Sequence, residues 1–285
     1  MTALFSYSLK NNFTMNKSLK NNFTMNKRIL SLLLFLIGWS SLPLQAQKEV
    51  TVRLQPKAGA TYTATIKNTM MNLMEVQGQT MTMTQTMETR SSFTPKTVND
   101  NEVVIEGQND ALKLTISQMG MVLTYDSEHP EKTSPMIADQ TDELSSSLKK
   151  PYTMSFDALG NRTSDEEDAE MSQLGGVIIQ LPNEPLKVGS TWNASKNQEV
   201  SGTALNASMT YTVTKISKKG IEIDVKGTIE GGEEASGTYE GTASIDPETG
   251  LITKSSIKQN LSTTISEQGL SIPVTINGTT TVTLE

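Results

Sequence analysis

The chain has 285 residues and carries 24 Lys plus Arg against 31 Asp plus Glu, which gives a formal net charge of −7. This length is sufficient for one large β domain or two small ones, and the acidic balance argues against nucleic acid and anionic membrane surfaces as partners. The sequence contains no Cys and one His, which excludes disulfides, thiol catalysis, thiolate metal sites and a metal centre with two His ligands in one chain.

Residues 1–46 are predicted to be a leader that takes no part in the fold. A basic stretch, Met25–Arg28, precedes the apolar run Ile29–Gly38, and Ala46 supplies a small residue for cleavage. These are the parts of a secretory signal peptide, and the run is shorter than the about 20 residues that span a bilayer. An uncleaved membrane anchor is the alternative. A decapeptide, SLKNNFTMNK, occurs twice in tandem upstream, and we interpret it as a duplication around the translation start.

In the remainder, 47–285, apolar and polar residues alternate with the period of a β-strand. Clear examples are Leu205–Thr214 and Ile221–Glu230, each with one apolar and one polar side. Such strands are typical of antiparallel sheets with one face in water, and the abundant Thr fits them. Short turns rich in Gly and Pro separate the strands, so residues 203–284 are predicted to form a five-stranded meander.

A long Met-rich hairpin is predicted in the first half, around the two-residue loop Gln77-Gly78. With that loop, Met74 lies opposite Met81 and Lys67 lies opposite Glu88, an opposite-charge pair that supports the register. Three further strands are predicted at Asn101–Gly107, Leu112–Gln118 and Met121–Asp126.

Two helices are predicted between the β-rich parts, with the short strand Tyr152–Phe156 between them. The first helix begins at Ser134-Pro135 and ends before Pro151, since Ser and Pro favour a helix start and Pro stops a helix. The second helix begins at Ser164, which forms a capping box with Glu167 three residues later. Its apolar stripe runs to Leu181 and is weakened by two adjacent glycines.

The predicted fold class is mainly β. We expect a curved antiparallel sheet or open half-barrel of about eleven strands, with two short helices between its halves. The single domain 47–285 then consists of two β-rich halves, 47–133 and 182–285, around a helical middle, 134–181. An outer-membrane barrel is the alternative, but its strands need apolar outer faces and aromatic girdles. The low aromatic content and the Thr-, Glu- and Lys-rich strand faces argue against it.

Several short phrases follow one another along Gln47–Glu285. They are Lys57–Tyr62, the Met-rich Met70–Met87, Tyr125–Ser127, Lys187–Trp192 and Asp246–Gly250. In this order they resemble a family of exported β-rich proteins of Gram-negative bacteria that has no established activity. The resemblance therefore implies no catalytic residues. The general plan is also similar to the half-barrel lipoprotein carriers of the periplasm, in which helices lie on the concave side of a curved sheet, although fold does not fix function.

The Met-rich hairpin is the candidate site. One side of it carries five thioethers and three amides: Met70, Met74, Met81, Met83 and Met87 with Asn68, Asn72 and Gln85. Thioether side chains adapt to varied apolar ligands, and the amides need hydrogen-bond partners if they are buried. A cavity for an apolar tail and a polar head would explain both groups. Ordinary core packing is one alternative, and a Cu(I) site, which soft thioethers select, is another.

The predicted helices are expected to cover this surface as a lid. The positions that would face the ligand are Leu144, Leu148, Leu174 and Ile178. Elsewhere, His129 lies in a polar, Pro-containing loop, where a solvated side chain is favoured over a catalytic base. The acidic stretch Asp165–Glu170 lacks the spacing and central Gly of a calcium loop and reads as a helix start.

The leading hypothesis is non-catalytic binding of an apolar or lipid-like ligand in the cell envelope, by a periplasmic or secreted protein. No catalytic residue, metal site or cofactor is predicted. The expected partners are that ligand and an envelope protein, with no nucleic acid and no membrane span after removal of the leader. The alternative is a structural or interaction module of the periplasm with a filled core and no small-molecule ligand, and a hydrolase is the third.

Overall fold

The computed structural model describes residues 49–285 apart from 77, 141–144, 147, 165–172, 201–202, 232–234 and 268–269. Long runs of alternating residues, rich in β-branched Thr, Ile and Val, favour extended strands in this part of the chain. The described residues form eleven strands: β1 Tyr62–Val76, β2 Gln79–Val98, β3 Val103–Gln118, β4 Met121–Asp126, β5 Tyr152–Phe156, β6 Thr191–Val200, β7 Thr203–Ile216, β8 Ile221–Gly231, β9 Ala235–Ile245, β10 Ile252–Glu267 and β11 Leu270–Leu284.

The strands form one antiparallel sheet in the order β4-β3-β2-β1-β11-β10-β9-β8-β7-β6, and β5 pairs with β3 beside β4. The sheet is curved and open: in the described residues its two end strands, β4 and β6, are not paired with each other. The first and last strands, β1 and β11, meet in the middle, where Thr63 and Glu285 exchange backbone hydrogen bonds of 2.9 Å in both directions. The predicted fold class is confirmed.

The predicted strand order within each half is largely confirmed. The five strands β7–β11 form the predicted meander. In the first hairpin Met74 lies opposite Met81 and Lys67 opposite Glu88, as predicted. The prediction of two strands at Asn101–Gly107 and Leu112–Gln118 was wrong, because both belong to β3. The register against β2 shifts at Asp110, so a β-bulge carries the strand through the polar residues that suggested a break.

The helical middle contains β5, as predicted, and two short 3₁₀ turns, Pro135–Gln140 and Gln173–Gly176. Ser145 and Ser146 are also helical. Ser134 does not cap an α-helix, because its hydroxyl accepts the Thr124 N–H at 3.0 Å and its own N–H donates to the Thr124 carbonyl at 2.7 Å. After Gly176 the predicted helix does not continue, since the Val177 carbonyl accepts the N–H of Ile252 at 2.8 Å. Residues 141–144, 147 and 165–172 of the predicted helices lie outside the described ranges.

One face of the sheet carries the buried core and is called the inner face; on β1 it begins with Ala64 and Ile66. Two non-strand segments, 50–56 and 174–186, cover one end of this face. Leu174, Val177 and Ile178 pack against the residues of β1, β2, β3, β5 and β11. Val52, Leu181 and Leu186 pack against those of β6–β10, and Val50 bridges to Leu186. The core is therefore concentrated at this covered end, and Lys48–Glu285 forms one compact unit.

The segments Lys57–Tyr62 and Lys187–Trp192, each with a Lys, a Gly and a following aromatic residue, form the same turn. Gly59 and Gly189 have φ of 74° and 88°, which favours Gly, and each donates its N–H at 2.8 Å to a carbonyl of a neighbouring strand. The aromatic after each turn then stacks on its cross-strand partner: Tyr62 on Phe93 at 5.3 Å and Trp192 on Tyr211 at 5.0 Å between ring centroids. The first strand of each β-rich half, β1 and β6, thus begins with an aromatic pair of the same kind.

Candidate functional site

The Met-rich hairpin extends the inner face beyond the covered end. Because successive side chains of a strand point to opposite faces, the residues that follow Ile66 at every second position share its face. On β1 and β2 these are Asn68, Met70, Asn72 and Met74 with their partners Met87, Gln85, Met83 and Met81. All eight are half-buried, whereas Met71 lies on the outer face and is 38% exposed. We call these eight residues the Met face.

Packed apolar clusters flank the Met face on both sides. Towards one sheet end, Met87 packs against the cluster of Leu112, Tyr125 and Ile137. Towards the other, Ile276 of β11 lies directly opposite Asn72 and packs against the cluster of Leu205, Ile229, Ala235 and Leu261. The Met face is therefore a half-exposed stretch of the inner face between two packed regions.

The Met face lies on an uncharged surface. In the described residues of β1, β2 and β11, no Asp, Glu, Lys or Arg occupies an inner position. The charges of these strands, such as Lys67 and Glu88, alternate onto the outer face. A charged ligand group would find no counter-charge on the three central strands.

Two amide oxygens on the Met face are buried and have no hydrogen-bond partner. They are Oδ1 of Asn68 and Oδ1 of Asn72. The hydroxyl of Thr89 is also buried without a partner; Thr89 follows Met87 on the inner face, towards the covered end. Each unpaired buried polar group costs about 1–3 kcal/mol. By contrast, the buried Ser91 hydroxyl, also on the inner face, donates to Asn109 Oδ1 at 2.8 Å. The hydroxyl of Tyr152, in the core at the covered end, also has no partner, so three of the four such atoms in the described residues lie on the Met face or next to it.

The residues predicted as a lid have different positions. Leu174 and Ile178 are buried in the core against Ile66 and neighbouring residues, at the end of the Met face. Leu148 is half-buried and packs in the same cluster as Met87. Leu144 lies outside the described residues. The structure therefore brings together all eight hairpin residues, with Leu148 at one side and Leu174 and Ile178 at the covered end.

The Tyr125–Ser127 phrase forms a structural turn at the end of β4. Asp126 is 6% exposed, and its carboxylate accepts the N–H groups of Glu128 and His129, each at 3.2 Å. Burial raises the pKa of Asp126, but the Glu128 N–H and the Lys113 ammonium, 3.4 Å away, outweigh it and lower the pKa overall. Sequence reasoning missed this role, although Asp followed by Ser is a common turn signal.

His129 is exposed, and its Nδ1 lies 3.4 Å from a carboxylate oxygen of Glu131. The neighbouring Ser127 hydroxyl accepts the N–H of Leu112 at 2.9 Å. Within the described ranges, no three His, Cys, Asp or Glu side chains are grouped as a metal site would need. The acidic stretch Asp165–Glu170 lies outside these ranges. No helix among the described residues is both long and apolar enough to cross a bilayer.

Residues 163–252 match the model of a family described as a family of unknown function, DUF6263. No curated protein matches the chain. The similar solved structures include lipovitellin, from a study of its lipid–protein interactions, with a TM-score of 0.44 and 10% identity over 80% of this chain and 25% of that chain. The chain thus spans a quarter of the lipovitellin chain.

Two further similar structures come from bacteria. The translocator domain of the autotransporter NalP from Neisseria meningitidis has a TM-score of 0.36 and 6% identity over 90% of this chain and 95% of that chain. An outer-membrane channel from Pseudomonas putida F1 has a TM-score of 0.21 and 8% identity over 85% of this chain and 99% of that chain.

Proposed function

We propose that the protein binds an apolar or lipid-like ligand on the Met face, without catalysis, after export to the cell envelope. The observation that carries this proposal is an uncharged, half-exposed thioether surface that contains buried amide oxygens without partners. The leader predicted from residues 1–46 supports the location. In this proposal the Met face contacts the ligand directly, and Leu148, Leu174 and Ile178 limit the surface at its margins.

Burial of apolar area drives such binding. Each 100 Å² of apolar surface that a ligand removes from water contributes about 2.5 kcal/mol before the costs of association. Unbranched Met side chains can follow the shape of different ligands, because they have three rotatable bonds and a polarizable sulfur. A filled β core would instead favour Ile, Val and Leu, which the covered end of the same sheet uses. The change of residue type along one face therefore supports a binding surface.

The proposal is tested by binding of a hydrophobic fluorescent probe together with native mass spectrometry of protein purified from the periplasm. We expect copurified lipid and probe uptake by the unmodified protein. The double variant Met74→Gln with Met81→Gln, which keeps side-chain length but adds amides, should lose at least about tenfold in probe affinity. Met71→Gln is the matched control on the outer face of the same strand and should bind normally.

Fluorescence of Trp192, which stacks on Tyr211 in the core, reports whether each variant is folded. A bare mass together with absence of probe uptake would reject ligand binding and leave the structural or interaction module as the better explanation. Equal loss of binding in Met71→Gln would show that the probe does not report on the Met face.

A further inference from the structure

The positions of Asn68 and Asn72 restrict the chemistry of a ligand. They lie four residues apart on β1, about 13 Å along the strand, with Met70 between them on the same face. Asn72 is flanked by Met83 on β2 and Ile276 on β11, and neither side chain can donate a hydrogen bond. The amide of Gln85, opposite Met70, donates to neither oxygen. Asn72 is therefore left without a donor by the sequence of its own neighbours. Asn68 lies between Met87 on β2 and Thr280 on β11, and the Thr280 hydroxyl does not donate to its Oδ1.

The unpaired atoms are acceptors, so only a group that donates hydrogen bonds can satisfy them. A carboxylate or phosphate would place acceptor against acceptor, and the inner positions of β1, β2 and β11 offer no Lys or Arg to neutralise it. An ammonium group could donate, but it would be a charge without a counter-charge on these strands, which is costly in a half-buried site. An uncharged hydroxyl or amide N–H avoids both costs.

Resting on the proposed function, we propose that the ligand is an uncharged amphiphile whose headgroup carries a hydroxyl or amide N–H that donates to Oδ1 of Asn68 or of Asn72, since one small headgroup does not span the distance between the two. Its apolar chain lies over the thioethers of Met70, Met74, Met81 and Met83, towards the loop of the hairpin. The Met face thus selects neutral, donor-bearing lipids over fatty acids and over lipids that only accept hydrogen bonds.

The test compares three probes with the same C18 chain as competitors of a hydrophobic fluorophore, at pH 8 and below their aggregation concentrations. They are 1-monooleoylglycerol, which donates two hydroxyls, methyl oleate, which only accepts, and oleate, which is ionised. We expect 1-monooleoylglycerol to bind at least about tenfold more tightly than either of the others, since one satisfied buried acceptor supplies that factor.

The double variant Asn68→Leu with Asn72→Leu removes both acceptors and keeps the apolar surface. We expect its preference for 1-monooleoylglycerol over methyl oleate to fall to about onefold, while methyl oleate still binds. Asn277→Leu is the matched control, because Asn277 lies opposite Met71 on the outer face of β11. If the double variant does not fold, the single variant Asn72→Leu makes the same comparison with a smaller loss.

Two results separate the failure of this inference from that of the proposed function. If methyl oleate or oleate competes as well as 1-monooleoylglycerol, or if the double variant keeps the preference, the donor-specific assignment is wrong while ligand binding stands. If none of the three displaces the fluorophore and the fluorophore itself does not bind, the proposed function fails, and this inference fails with it.

Discussion

At the scale of single residues, the glycines of the inner face differ in what surrounds them. A Cβ on Gly241 would overlap the Ser256 carbonyl oxygen and lie 2.7 Å from the Ile257 Cα, whereas a Cβ on Gly278 would have its nearest neighbours at 3.7 Å. Gly241 therefore marks a close approach of β9 to β10, and Gly278 does not mark one.

Gly241→Ala is accordingly expected to lower the free energy of unfolding by about 2 kcal/mol or more, since backbone must move to admit the methyl group. Gly278→Ala, the control on the same face, should change it little or raise it, because Ala reduces the entropy of the unfolded chain. Urea denaturation followed by Trp192 fluorescence measures both. Equal destabilisation by the two substitutions would contradict the close approach.

The contribution of Asp126 to the free energy of unfolding should depend on pH. Its pKa is lowered in the folded state, so its contribution is fully present above the unfolded value of about 3.9 and is lost as pH falls through the folded value. We expect Asp126→Asn to lower the free energy of unfolding at pH 7 by about 1–3 kcal/mol, because the turn loses charge-assisted hydrogen bonds. The difference from the unmodified protein should shrink in acid.

The measurement is urea unfolding at pH 7, 5 and 3. Asp224→Asn, an exposed carboxylate on β8, is the control and should show no comparable loss at pH 7. A loss for Asp126→Asn that is the same at pH 3 as at pH 7 would mean that packing, and not the charge of the carboxylate, stabilises this turn.

At the scale of elements, the turn between β3 and β4 carries a residue that its backbone does not favour. Met119 has φ of 50° and Gly120 has φ of 80°, as in a type I′ turn, and the Met119 side chain is 78% exposed. Met119→Asn is expected to raise the free energy of unfolding by about 0.5–1 kcal/mol, because Asn tolerates positive φ. Met136→Asn, at another exposed Met without positive φ, should have little effect in the same urea titration.

The local elements could be predicted because their determinants are adjacent in sequence. The two-residue loop predicts the register of the first hairpin, and alternation together with Gly and Pro turns predicts the β7–β11 meander. The shared face of Asn68 and Asn72 follows from the same register. All of these features depend on residues that are close in sequence and on the alternation of successive side chains between the two faces of a strand.

The features that the sequence did not reveal depend on distant partners. β3 continues through Asp110 because β2 pairs with it on both sides of the bulge. The predicted helix does not continue beyond the 3₁₀ turn Gln173–Gly176, because the Val177 carbonyl accepts the N–H of Ile252 at the start of β10. The lack of partners for Asn72 became visible only when Ile276 was placed beside it, because alternation shows which face a residue occupies but not which strand lies next to it.

At the scale of the whole molecule, the pairing of β1 with β11 joins the two β-rich halves into one sheet. The two strands are separated by most of the domain, yet Thr65 lies directly opposite Thr283 on the outer face. Cα atoms of such antiparallel pairs are about 4.5–5.5 Å apart, within the range that a disulfide spans. Because the chain has no Cys, a new pair can be introduced without competing thiols.

Thr65→Cys with Thr283→Cys is therefore expected to form a disulfide that closes a loop of roughly 200 residues and raises the free energy of unfolding by up to about 5 kcal/mol. Thr65→Cys with Thr279→Cys is the control, since Thr279 is displaced four residues, about 13 Å, along the same strand. Mobility on non-reducing gels and free-thiol counts measure the bond, and urea unfolding with and without reductant measures its effect. A bond in the displaced pair, or none in the aligned pair, would mean that the halves meet in another register, and the Met face would then lose its neighbours on β11.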